Sequence, residues 1–149
     1  MNSSDTISIL NDLIETVKDG QEGFRLASED SGDAELKTLF NEFSLQRAKF
    51  AGELQQEVTR LGEADPEKKS SVAGALHRGW INLRAALSSK DAHSVLSECE
   101  RGEDYAVDAY KKALESELPQ NVRGIVERQS REVKAVHDRV KALRDARVK

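Results

Sequence analysis

The run E-C-E-R-G-E-D, Glu98 to Asp104, sets Glu100 and Glu103 three residues apart. On a helix that spacing puts both carboxylates on one face, where their oxygens can converge on a cation or a guanidinium. Three more carboxylates, Glu15, Asp19 and Glu22, recur at helical spacing near the start of the chain, and His137 lies in a valine-rich segment near its end. Helical proteins that hold two metal ions take one carboxylate from each of two helices and a Glu-x-x-His pair from each of the other two. Here Ser44 and Arg47 stand at the spacing where one such pair would fall, and Lys134 precedes His137 by three in the other. A guanidinium and an ammonium repel a dication, so the six-ligand set is absent. Gly-x-Ser-x-Gly, the P-loop, the dinucleotide fingerprint and His-Glu-x-x-His are missing as well.

The elements that must carry these residues follow from apolar periodicity. Charged residues make up 34% of the 149 and aromatics 5%, with two prolines, a mixture that favours helix over sheet. Ile7, Leu10, Ile14, Val17 and Phe24 form one stripe, predicting a helix over about 5–29 that is capped by Ser4 or Asp5. Asp33 caps a second helix over about 33–61, with the stripe Leu36, Phe40, Phe43, Arg47, Phe50, Leu54. After a polar stretch around Pro66, the run Val72 to Leu87 reads as a crossover helix over about 71–87. It contains Gly74 and Gly79, and Trp80 serves as its packing anchor. Asp91 caps a third long helix to about Leu118. Pro119 opens a fourth, over about 120–146, through Val122, Val126, Gln129, Val133, Val136 and Val140. Two long helices, a helical crossover and two more long helices describe an all-α, ferritin-like four-helix bundle forming one domain over 1–149. In that topology the second and third long helices run parallel.

Counting from the caps gives each polar residue a level. Arg47 lies at a depth similar to Glu103 and, across the last turn, to His137; Glu15 and Asp19 face the same region from the first helix. These residues are therefore expected to form a buried polar network, Arg47, Glu103 and His137 with Glu15 or Asp19, whose guanidinium replaces metal charge. The alternative is an incomplete iron or manganese site built from Glu22, Glu100, Glu103 and His137. Plainer readings stand beside both: an arginine whose stem covers apolar surface, and a hydrogen-bonded structural histidine. Cys99 is expected to be a small buried core residue, and Tyr110 and Gln129 to share a layer.

Four segments also resemble a bacterial ferritin-like four-helix-bundle family described as a domain of unknown function. They are L-N-D-L-I-E-T-V-K-D-G from Leu10, Q-R-A-K-F-A-G-E-L from Gln46, S-V-A-G-A-L-H-R-G-W ending at Trp80, and E-C-E-R-G-E-D. The resemblance covers roughly Leu10 to Asp145 and implies a cytoplasmic protein of undetermined activity. Against rubrerythrin-like di-iron relatives the chain departs at Ser44, Arg47 and Lys134, which argues against oxidase, peroxidase and iron-storage chemistry.

A formal charge of −4 gives no support to nucleic-acid binding. No apolar run reaches the roughly 20 residues needed to span a bilayer, and a single cysteine fits a reducing compartment. The expected role is a non-catalytic structural or interaction protein, with stress response as one setting. No resident cofactor is expected and the protein partner is unknown. Leu13, Val58 and Leu114 fall outside the main stripes, where they either widen the core face or support a homodimer, and a homodimer is the favoured assembly.

Overall fold

A computed structural model describes residues 2–62 and 78–147. The described residues form five helices: α1 (Ser3–Asp30), α2 (Ala34–Arg60), α3 (Leu83–Ser89), α4 (Ala92–Leu114) and α5 (Gln120–Asp145). No strand occurs among them, and no helix is long and apolar enough to cross a membrane.

The helix ends are set by local chemistry. Asp33 Oδ1 accepts from the backbone N–H groups of Glu35 at 2.9 Å and Leu36 at 3.1 Å, satisfying two of the free donors of α2. Asp91 does the same for α4, through His93 N at 3.2 Å. The cap of α1 corrects the sequence reading: Asn2, rather than Ser4 or Asp5, accepts from Asp5 N at 2.9 Å, and the helix begins at Ser3. Helix α4 stops at Leu114, four residues short of the expected end. The clash of the Pro119 ring disfavours helical backbone at Leu118. The Arg123 guanidinium then takes the carbonyls of Leu114 and Ser116 at 2.9 and 3.1 Å, which replaces the missing turn.

The bond from Leu36 N–H, with support from Arg147 and Glu35, holds the Asp33 carboxyl below its ordinary value of 3.8. A depressed carboxylate contributes stability above its unfolded pKa, and that contribution is lost as pH falls through the folded value. Loss of the two cap hydrogen bonds in Asp33→Ala is expected to cost about 1 kcal/mol near neutrality. Urea melts of the two proteins should converge as pH drops below the ordinary aspartate range.

Helix α1 packs along α2 and α4, and α5 along α4 and α2, while α3 lies against α4 and α1. The pairs α2/α4 and α1/α5 share no direct backbone packing and so face each other diagonally. Chain directions follow from two apolar clusters. One holds Leu10–Val17 of α1, Phe50–Val58 of α2, Ala106–Ala113 of α4 and Val122–Val133 of α5. The other holds Phe24–Ala27, Leu36–Phe43, Trp80, the buried face of α3, Val95–Cys99, Val136 and Val140. Helices α1 and α5 run from the first cluster to the second, whereas α2 and α4 run from the second to the first. The second and third long helices are thus parallel. Leu13 and Val58 are buried in the first cluster and Leu114 packs against it, so these residues widen the core. Among the described residues, the large apolar side chains left exposed are Leu45, Ile81 and Tyr105.

The crossover differs most from expectation. Residues 71–77 of the expected helix lie outside the described residues, and the helix observed nearby, α3, starts only at Leu83. Arg78 and Gly79 have φ of +45° and +94°, so Gly79 sits in a left-handed turn rather than inside a helix. The turn drives Trp80 inward until it is 1% exposed.

Candidate functional site: a buried ion pair between two apolar clusters

Along α2 the two clusters are separated by Arg47, between Phe43 and Phe50; along α4 they are separated by Glu103, between Cys99 and Ala106. Both side chains are fully buried. Arg47 donates Nη1–H to Glu103 Oε2 at 2.7 Å and Nη2–H to Oε1 at 2.5 Å, a two-pronged pairing across the diagonal of the fold. Its Nε–H goes to Gln46 Oε1 at 3.1 Å. The guanidinium also lies over the Phe24 ring, 5.5 Å from the centroid. Taking two charges out of water costs several kcal/mol per ion, which good geometry and further hydrogen bonds offset; here the two-pronged contact and the Nε–H bond to Gln46 supply them.

Glycines bring backbone close to this layer. A Cβ at Gly20 would stand 3.1 Å from Arg47 Nη1. The Trp80 indole occupies a slot between α1 and α4 that exists because Gly23 and Gly102 lack side chains: a Cβ would come within 2.3 Å of the ring at Gly23 and 2.1 Å at Gly102. Trp80 packs edge-on to Phe24 at 4.9 Å, so Phe24 touches both the indole and the guanidinium. The turn before it is pinned by Arg78, which bonds Asp19 Oδ2 at 2.5 Å and Glu15 Oε1 at 2.9 Å. Burial opposes the Arg78 charge, but the Asp19 and Glu15 carboxylates outweigh it and hold its pKa above the ordinary value.

The other expected site residues divide among separate places. Glu15 and Asp19 serve Arg78. Their carboxylates stay on α1, and Glu103 takes the buried guanidinium. His137 lies outside the buried pair, in the groove between α4 and α5. Its Nε2 is 2.6 Å from Asp104 Oδ1 and 3.7 Å from Glu100 Oε2, and its Nδ1 is 3.0 Å from Asp138 Oδ1. One residue of offset on α4 decides this: Glu103 points inward, while Glu100 and Asp104, one turn apart, flank the α5 groove. The four residues of the alternative metal site are not brought together. Glu22 pairs with Arg25 at 2.6 Å, Glu103 with Arg47, and only Glu100 and His137 approach each other. Asp104 went unnoticed in the sequence; its place one turn beyond Glu100 was the available signal.

Two further groups sit near the central layer. The Tyr110 hydroxyl donates to Gln129 Oε1 at 2.6 Å, and Gln129 Nε2 donates to Glu53 at 2.8 Å; burial pushes the phenol's pKa well up. Cys99 is fully buried, and burial, reinforced by the charges of Glu103 and Glu98, raises its pKa well above that of a free thiol. The thiolate is the reactive form, so labelling by a thiol reagent under native conditions is expected to follow opening of the fold. Its rate should rise with urea in step with the unfolded fraction. An outer groove of about 440 Å3 between α1 and α4, floored by Leu13 and Ala113, carries Asp12 and Asp108 beside Arg78 and Lys112. Its mixed charges select no ligand class.

Residues 5–116, spanning α1 to α4, match the family described as Domain of unknown function (DUF2383), and the chain belongs to that family. Helix α5 lies outside the matched residues. No curated protein matches the chain.

Proposed function

We propose that the protein is a ferritin-like four-helix bundle that works as a structural or interaction protein, in which the Arg47–Glu103 pair takes the place of an interior metal centre. The observation that carries this reading is the diagonal, fully buried, two-pronged contact between the two side chains. Ferritin-like bundles build metal sites from inward carboxylates on facing helices, and here the inward carboxylate of α4 is already saturated by a fixed positive charge. Ser44, at the other expected ligand position of α2, donates its hydroxyl to the Gln21 carbonyl at 2.9 Å. The donor set does not fit an interior dimetal centre, and no reaction is derived through one. Its expected setting is the bacterial cytoplasm, consistent with the lone buried thiol of Cys99.

A second copy of the chain is the partner we propose, and it would cover the exposed Leu45 and Ile81 side chains. Light scattering across a concentration range tests this, and a monomer that persists at high concentration rejects it. Elemental analysis of protein purified without chelators, together with aerobic Fe(II) oxidation, tests the main reading. Both are to be run on wild type and on His137→Ala. Metal well below one ion per chain in the variant and no oxidation above buffer are expected. Stoichiometric iron or manganese that survives the His137 substitution would overturn it.

A further inference from the structure

The Glu100, Asp104 and His137 cluster does something the buried pair does not: it leaves an imidazole nitrogen facing two carboxylates from a neighbouring helix. One ligand atom of each residue lies within 4.8 Å of the others. Nδ1 lies 3.0 Å from Asp138 Oδ1; in the tautomer that carries its proton there, the lone pair of Nε2 faces Asp104 Oδ1, 2.6 Å away, and Glu100 Oε2. A lone pair set against anionic oxygens calls for a positive species between them. A proton satisfies only the nearer contact, whereas a divalent cation satisfies all three donors at once.

Three carboxylates, those of Glu100, Asp104 and Asp138, surround the ring, against the two cationic groups of Arg144 and Lys134. Asp138, bonded in turn by Lys134 at 2.7 Å, stands behind the ring as carboxylates stand behind metal-ligating histidines, where they fix the tautomer and orientation. Arg144 bonds Glu100 Oε1 and so leaves the other oxygen, Oε2, for the site. One imidazole nitrogen and two single carboxylate oxygens, with Asp104 open to water, match a borderline first-row cation that completes its shell with solvent. The ligands also join two elements, since Glu100 and Asp104 belong to α4 and His137 to α5.

We propose that Glu100, Asp104 and His137 form a divalent-cation site on the outer groove, a clip that ties α5 to the helices matched by the family. The test is titration of the full chain with Zn2+, followed by calorimetry, by thermal unfolding and by the ring resonances of His77, His93 and His137. One Zn2+ per chain is expected, with the His137 resonances shifting alone and the unfolding temperature rising with free Zn2+. His137→Ala and Asp104→Asn should each weaken binding by roughly tenfold or more, and Asp138→Asn by about tenfold through the ring's orientation. Helical circular dichroism checks that these largely surface variants remain folded. Non-saturating uptake, equal shifts of all three histidines, or affinity unchanged in His137→Ala would overturn the proposal.

Discussion

Arg47→Met is expected to destabilise the protein by roughly 3–5 kcal/mol, because it strands the Glu103 carboxylate in a fully buried layer. Glu103→Gln should cost a comparable amount by leaving the guanidinium without its counter-charge. The double replacement Arg47→Met with Glu103→Leu removes both charges and fills the layer with apolar volume. It is expected to recover most of the loss and to come within about 1 kcal/mol of wild type or exceed it, as apolar replacements of buried ion pairs often do. The signature is therefore a large coupling between the two positions, read from urea melts. It should change little with salt, since a pair at zero exposure is poorly screened. Two small, additive single effects would mean that the pair is not desolvated in solution.

Loss of the indole should be of similar size. Trp80→Ala empties a slot lined by Gly23, Gly102 and Phe24, and truncation of a fully buried tryptophan costs roughly 3–5 kcal/mol. Gly102→Ala attacks the same contact from the other side, since its Cβ would lie 2.1 Å from the ring. Neither the α4 backbone nor a ring held against Phe24 can yield by that much, so Trp80 should be displaced towards solvent. Trp80 is the only tryptophan in the chain, and a red-shifted emission reports the displacement directly. Combining the two substitutions should cost less than their sum, because the added methyl then occupies space the indole has left. A Gly102→Ala protein with unshifted emission and wild-type stability would show that the slot is looser than described.

The four long helices were legible because each carries a continuous apolar stripe with punctuation at its ends: Asp33 and Asp91 as caps, Pro119 at the start of the last. The level of Arg47 against Glu103 was legible for the same reason, since helical rise converts sequence offset into depth. What counting could not supply was rotation about the helix axis. His137 shares the depth of Glu103, yet a fraction of a turn sends it into the α4/α5 groove with Glu100 and Asp104. Glu15 and Asp19 were drawn to Arg78, a cation from the crossover that no periodicity placed. The crossover was misread at Gly79, which was expected inside a helix. Gly79 is required by a left-handed turn, and Gly23 and Gly102, unremarkable in the sequence, are required by a tryptophan arriving from elsewhere in the chain. Such contacts depend on three segments at once and leave no local pattern.

The central claim, that a guanidinium holds the position of an interior metal ion, is tested most directly by titrating the protein with Mn2+ under reducing conditions while following Trp80 fluorescence. The indole and Arg47 both flank Gly20, so a paramagnetic ion bound at Glu103 would quench it. The expected result is no saturable quenching that depends on Glu103, with any uptake abolished by His137→Ala. Quenching that saturates at one ion per chain, persists in His137→Ala and disappears in folded Glu103→Gln would contradict the account.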